Sequence, residues 1–65
     1  MRFTQTYLHI SGHLQYARIQ WRNIECVKIE DRHLIIITKY GTRYTIDMDV
    51  DDAYQRISNF LSQEP

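Results

Sequence analysis

The sequence predicts an α+β domain in which one C-terminal helix covers one face of a curled, antiparallel sheet of about five strands. Three observations predict this class. Apolar and polar residues alternate through most of the first 48 positions, and the spacing becomes helical after Asp49. Turn residues separate the alternating runs at hairpin distances. The chain has 65 residues and no linker or repeat, so residues 1–65 are expected to form a single domain.

The first three predicted strands cover residues 3–10, 14–21 and 24–30. The first is rich in Thr, Tyr and Ile, and Ser11-Gly12-His13 supplies the turn that follows it. The second alternates, with Ala17, Ile19 and Trp21 on one side. A short break at Arg22-Asn23 precedes the third strand. In this third strand, Val27 and Ile29 are expected to face one way, and Cys26 and Lys28 the other.

Residues 33–40 give the strongest strand signal in the chain. Four consecutive aliphatic residues at 34–37 predict burial on both faces, as expected for a central strand. Asp31-Arg32 is the predicted turn before this strand, and Tyr40-Gly41 is the predicted turn after it. A last strand at 42–48 is expected to point Tyr44, Ile46 and Met48 inward. Three successive strands joined by tight turns predict an antiparallel meander.

The helix is predicted from an apolar stripe that begins at Val50. Asp49 is a good N-cap residue, Asp52 stands at the third helical position as in a capping box, and Asp51 and Asp52 lie near the positive end of the helix dipole. Six apolar residues then recur at helical spacing: Val50, Ala53, Tyr54, Ile57, Phe60 and Leu61. This stripe is expected to lie across the sheet, with a frayed end at 63–65.

Size and composition indicate how the domain is stabilised and where it is located. Domains this small bury only about 60% of their unfolded surface, so subunit association often supplies the missing stability. We therefore expect a homodimer. The single cysteine, Cys26, allows no disulfide within the chain and favours a reducing compartment. No signal segment or membrane span is evident, so a cytoplasmic location is expected.

The residues that carry chemistry favour a non-enzymatic protein. His9 and His13 are four apart but flank a turn, and with His33 and Cys26 they make a weak metal set. Cys26 lies in a strand, where a small buried cysteine is more common than a nucleophile. The acidic cluster at 47–52 is explained by the helix start, and two isolated glycines exclude a phosphate loop. We predict no catalytic residue, no metal and no cofactor.

The first 24 residues favour an interaction surface. They contain three arginines, two histidines and no acidic residue, whereas residues 25–65 contain five basic and eight acidic residues. Tyr, Trp and Arg dominate protein interfaces, so we predict binding of another protein. The predicted contact residues are Tyr7, His9, Tyr16, Arg18, Trp21 and Arg22. The alternative is nucleic-acid or nucleotide binding through the same basic, aromatic face, which zero net charge disfavours.

Residues 8–61 also resemble the first half of a LytTR-type DNA-binding domain of bacterial response regulators. The matching features are Ile19-Gln20-Trp21-Arg22-Asn23-Ile24, Lys28-Ile29-Glu30, the strand at 33–38, the turn at Gly41 and the short helix ending near Ile57. A similar rhythm occurs in bacterial PH-like domains, which have seven strands. The family's principal DNA-contact segment lies in the half that this chain lacks. The expected function is a small regulatory or adaptor protein of bacterial or phage origin.

Overall fold

A computed structural model describes residues 1–11 and 16–63 and confirms an α+β domain with a C-terminal helix. Its strands form two three-stranded antiparallel sheets, so the prediction of one sheet of about five strands was too simple. The N-terminal sheet has the order β1-β2-β3, and the C-terminal sheet has the order β4-β5-β6. The elements are β1 (Arg2–Phe3), β2 (Tyr7–Ser11), β3 (Tyr16–Gln20), a 3₁₀ helix (Trp21–Asn23), β4 (Ile24–Glu30), β5 (His33–Thr38), β6 (Arg43–Ile46) and α1 (Val50–Ser62).

The first predicted strand is divided by a turn at Thr4. The Thr4 hydroxyl donates to the Tyr7 carbonyl at 2.9 Å and accepts from the Tyr7 backbone N–H at 2.9 Å. This bonding folds β1 back onto β2, with Arg2 opposite His9 and Phe3 opposite Leu8. Threonine can replace ladder hydrogen bonds with local ones, so alternation alone does not predict such a turn. The predicted turn at residues 12–13 lies outside the described residues.

The C-terminal sheet has β5 at its centre, which confirms the prediction for residues 34–37. Leu34, Ile35 and Ile36 are all buried. On its β4 side, the register shifts between Ile24 and Cys26, which marks a β-bulge. The bulge changes which side chains face inward, and Cys26 is exposed, so the expectation of a buried cysteine was wrong.

Two tight turns join these strands as predicted. Asp31 and Arg32 have φ of 52° and 65°, and two positive φ values are typical of a two-residue type I′ hairpin. Gly41 has φ of 88°, which glycine adopts without strain, and its N–H donates to the Thr38 carbonyl at 3.0 Å. The C-terminal sheet is therefore a meander with short, well-defined connections.

The helix begins where it was predicted, but its cap differs. Asp49 precedes α1 with a left-handed φ of 49° and makes no side-chain capping bond, so the predicted capping box is wrong. Ala53 and Ile57 of the predicted stripe are buried, and the other four members pack against the core. Met48 is 71% exposed, which corrects its predicted inward position.

A stack of aromatic rings joins the N-terminal sheet to α1. Trp21 is 3% exposed and stacks on Phe60 of α1, with centroids 4.6 Å apart. Phe3 stacks on both rings, 5.9 Å from Trp21 and 5.4 Å from Phe60. The Trp21 indole Nε1–H donates to the Thr4 carbonyl at 2.7 Å. This stack holds the N-terminal sheet against the helix.

Within the described residues, no helix combines the length and the apolarity needed to cross a membrane.

Candidate interaction face on the N-terminal sheet

Strand alternation places one set of residues on the side of the N-terminal sheet that faces away from the core. In the register, Tyr7 pairs with Gln20, His9 pairs with Arg18, and Ser11 pairs with Tyr16. Alternate residues of a strand share a face, so these side chains lie together while Leu8, Ile10 and Ile19 are buried beneath them. We call this set the outer face; its members are Arg2, Tyr7, His9, Ser11, Tyr16, Arg18 and Gln20.

Four of the six predicted contact residues meet on the outer face. The Tyr7 and His9 rings lie 4.9 Å apart, and the His9 and Tyr16 rings lie 6.3 Å apart, edge to face. The Arg18 Cζ lies 4.8 Å from the centroid of the Tyr7 ring, within the range of a cation–π interaction. Tyr16 is 73% exposed, so most of its ring is available to a partner.

The other two predicted contact residues occupy the 3₁₀ helix that follows β3. Arg22 is exposed, and its Nε–H donates to the Gln20 Oε1 at 3.0 Å, which ties it to the end of the outer face. Trp21 is buried in the aromatic stack, so it does not present its side chain to a partner and its assignment as a contact is corrected. Its role is to support the sheet from below.

The outer face is positively charged along one row. Arg2, His9 and Arg18 are neighbours across three strands. The ion pairs found among residues 1–11 and 16–63 are both elsewhere, between Lys28 and Glu30 and between Arg56 and Asp52. No described member of the face is acidic, so its positive charge is not compensated within the face.

The surroundings of the histidine in this row disfavour its protonated form. Its desolvation, followed by the charges of Arg18 and Arg2, lowers the pKa of His9 below its ordinary value of 6.5. Near pH 7 the positive charge of the row therefore comes from Arg2 and Arg18. An anion bound to the row would favour protonation of His9.

A cleft of about 480 Å³ adjoins the outer face where the two sheets meet. Sequence analysis did not identify it, because its walls come from segments far apart in the chain. Tyr7 and Arg18 form one wall, and Tyr40 and Tyr44 stand on the other. The Lys39 N–H donates to the Asn23 carbonyl at 2.8 Å and links the two sides. No signal in a single sequence would have placed these residues together.

A larger groove of about 540 Å³ lies between the sheets and the start of α1. Its rim contains Asp47, Asp49 and Asp52, the acidic cluster noted in the sequence. Arg56 lies 3.9 Å from the Asp52 carboxylate and 4.3 Å from the centroid of the Phe3 ring. The rim thus carries both charges, and its arginine already has partners within the chain.

The described residues bring together no metal-binding group of three or more His, Cys, Asp or Glu side chains. His33 lies on β5, away from His9 on β2, and its Nδ1 is 2.7 Å from the Asp31 carbonyl. His13 lies outside the described residues. Cys26 is exposed on β4.

Comparisons with known proteins assign no family to this chain. The resemblances to LytTR-type and PH-like domains stay predictions, and the outer face is interpreted from its own chemistry. No family model, no curated protein and no solved structure matches the chain.

Proposed function

We propose that this protein is a small, non-enzymatic adaptor or regulatory module, of bacterial or phage origin, that binds an acidic segment of another protein through its outer face. One observation carries the proposal. Arg2, His9 and Arg18 form a row without an acidic neighbour on the face, beside the exposed ring of Tyr16. Complementary charge steers a partner and fixes its orientation, while an exposed tyrosine provides contact area.

The edge of β3 supports an extended partner segment. Within the described part of the chain, β3 pairs only with β2, so its other edge has no strand partner there. Its register with β2 runs through five successive pairs. A segment added there would place alternate side chains over the outer face, which is the geometry of β-strand addition.

The charge of the molecule favours a protein partner over a nucleic acid. The chain has a formal net charge of zero, and the outer face with Arg22 contributes three arginines. Nucleic-acid affinity depends on neutralising several phosphates and falls steeply with salt. An acidic peptide needs fewer positive charges, because its backbone also binds the sheet edge. Nucleic-acid binding is therefore the competing outcome of the test.

We propose further that the protein is a homodimer in the cytoplasm. A chain of 65 residues has a small core, and association commonly stabilises such domains. Sedimentation equilibrium in a reducing buffer tests the first statement. A single species of twice the chain mass is expected at micromolar concentration, and a monomer at every concentration would contradict it.

Selection from a displayed library of random 12-residue peptides tests the proposed function. The immobilised wild type is expected to enrich peptides rich in Asp and Glu. The variant Arg18→Ala should bind the enriched peptides at least tenfold more weakly. The matched control is Arg43→Ala, which also removes an exposed arginine from a strand, but from the other sheet. It should change affinity less than twofold.

Three results would contradict the proposal. The first is a library that yields no peptide above background, or only peptides without excess negative charge. The second is an equal effect of Arg18→Ala and Arg43→Ala, which would place the binding surface elsewhere. The third is a labelled dT20 oligonucleotide that binds more tightly than any selected peptide, with affinity that falls steeply as salt rises. That last result would favour nucleic-acid binding.

A further inference from the structure

Resting on the proposed function, we propose that the cleft between the two sheets is the specificity site of the outer face. It would hold one aromatic side chain of the acidic segment while the Arg18 guanidinium binds a neighbouring carboxylate. The cleft lies beside the outer face because Tyr7, Arg18 and Gln20 belong to both. A segment that crosses the outer face therefore reaches the cleft without a change in either sheet.

The size of the cleft suits a side chain. It is an open depression of about 480 Å³ on the surface, which is large enough to admit one side chain. Its lining comes from both sheets and the 3₁₀ helix, and three of its nine residues are tyrosines: Tyr7, Tyr40 and Tyr44. Aromatic rings attract one another in offset or edge-to-face arrangements, so this lining favours a ring as the ligand.

The turn that carries Tyr40 is fixed in position. Thr38 is 5% exposed, and its hydroxyl oxygen accepts from the Tyr40 N–H at 3.3 Å and from the Thr42 N–H at 3.1 Å. The Thr38 N–H also donates to the Thr42 carbonyl at 3.0 Å. Tyr40 itself is 80% exposed. The turn fixes the backbone position from which this exposed ring projects, so contact with a ligand there costs little further backbone entropy.

The polar groups of the cleft suit an anion. Arg18 is the single charged residue of the lining, and no acidic side chain is present in it. The lining also contains the Asn23 amide and the hydroxyls of Tyr7, Tyr40 and Tyr44, which are groups that can donate hydrogen bonds to an anion. A guanidinium stacked on a ring, as Arg18 is on Tyr7, suits the planar geometry of a carboxylate.

A peptide fits these groups better than a nucleotide does. Phosphate sites in proteins use a helix N-terminus, a glycine-rich turn or several cations. The lining of this cleft contains one arginine and no glycine. The one guanidinium can bind one carboxylate of a peptide, and the three tyrosine rings can pack against one aromatic side chain of it. Nucleotide binding is thus a separate outcome that the experiment can identify.

Fluorescence anisotropy with two labelled peptides, Glu-Glu-Tyr-Glu-Glu and Glu-Glu-Ala-Glu-Glu, tests the inference. In the wild type, the tyrosine peptide should bind about fivefold more tightly, as expected for one aromatic contact. In Tyr40→Ala this preference should fall below twofold, because the ring that it depends on is absent. The control Lys39→Ala changes an exposed neighbour in the same turn and should keep the preference. Arg18→Ala should weaken the binding of both peptides.

The possible failures are distinguishable. If neither peptide binds, the proposed function fails and the cleft proposal fails with it. If both bind equally, or if Tyr40→Ala keeps the fivefold preference, the acidic segment binds but the cleft is not its specificity site. If a labelled dT10 oligonucleotide binds more tightly than both peptides, the ligand is a nucleic acid and both proposals are overturned.

Discussion

The two sheets have the same number of strands but differ in how their outward charges are balanced. In the C-terminal sheet, Lys28 lies 3.0 Å from the Glu30 carboxylate on the same strand. That contact lowers the pKa of Glu30, first through its hydrogen bond with Lys28 and then through the charge. In the N-terminal sheet, Arg2 and Arg18 flank a neutral His9 and have no acidic neighbour on the outer face.

The sheets also differ in how they are held in the fold. The C-terminal sheet is built on β5, where Leu34 and Ile36 are fully buried, and α1 packs against β4 and β5. The N-terminal sheet is joined to α1 through the rings of Phe3, Trp21 and Phe60. The comparison suggests a division of roles: one sheet and the helix stabilise the domain, and the other presents the recognition surface.

The largest expected effect comes from removing the aromatic connection. Trp21→Ala should lower the free energy of unfolding by about 3–5 kcal/mol, the usual cost of truncating a large buried aromatic. Trp21→Phe is the control, because it keeps a ring in the stack and loses the bond to Thr4, and it should cost about 1–2 kcal/mol. Urea titration followed by circular dichroism measures both. A loss below about 1 kcal/mol for Trp21→Ala would show that the stack does not hold the sheet.

A smaller effect of opposite sign is expected in the C-terminal sheet. Arg32 has a φ of 65°, a strained value for a residue with a side chain, so Arg32→Gly should raise the free energy of unfolding by about 0.5–1 kcal/mol. The matched control is Arg43→Gly, which places glycine within β6 and should destabilise. Urea titration of the three proteins is the measurement. Equal destabilisation by both substitutions would contradict the hairpin geometry.

The N-terminal sheet should respond to pH through His9. Its pKa is lowered in the folded protein, so the unfolded chain binds the proton more readily. Stability is therefore complete above pH 6.5 and declines as pH falls through 6.5 toward the folded pKa. His9→Asn should reduce the fall in the urea midpoint between pH 7.5 and 5.5. If the urea midpoint of His9→Asn falls between these pH values as much as that of the wild type, His9 is not the source of the pH dependence.

The same titration should affect partner binding in the opposite sense. A bound anion favours protonated His9, so an acidic peptide should bind more tightly at pH 5.5 than at pH 7.5 in the wild type. Peptide carboxylates remain mostly ionised over this range. Anisotropy titrations at the two pH values check this, with His9→Asn as the control. Weaker binding at pH 5.5 would contradict the role of His9 in the outer face.

The smallest effect is expected at the ion pair between Lys28 and Glu30 in the C-terminal sheet. The Lys28 and Glu30 side chains are 45% and 52% exposed, and exposed ion pairs contribute little to stability. Lys28→Ala should therefore leave the urea midpoint unchanged at low and at high salt. A clear fall at low salt that disappears at high salt would show that this pair stabilises the sheet.

Much of the fold follows from periodicity. The stripe from Val50 to Leu61 predicted α1, and the run at 34–37 predicted the central strand. The division into two sheets did not follow, because alternation identifies strands without saying which of them pair. The turn at Thr4 depends on a side-chain hydrogen bond, and the exposure of Cys26 depends on a bulge. Neither the side-chain hydrogen bond nor the bulge leaves a periodic pattern in the sequence.

The candidate site was predictable to the extent that it lies on a few neighbouring strands. Alternation placed Tyr7 and His9 on one face, and the register added Tyr16 and Arg18 beside them. Trp21 was misassigned because its contact role was inferred from residue type, whereas alternation places it on the side of Ile19, and both side chains are buried. The cleft required the approach of two sheets, which only the tertiary structure describes.

The bulge in β4 has a consequence for stoichiometry. It interrupts the strand between Ile24 and Cys26, beyond which the register with β5 runs regularly through five pairs, and the charge of Lys28 opposes pairing with a further strand there; β1 and β6 have only two and four residues. The edge of β3, with five residues in regular register to β2, is the one that we propose for the partner segment. A domain that offers one edge binds one partner strand per chain. Complexes formed at saturating concentrations of the partner should therefore not assemble into fibres.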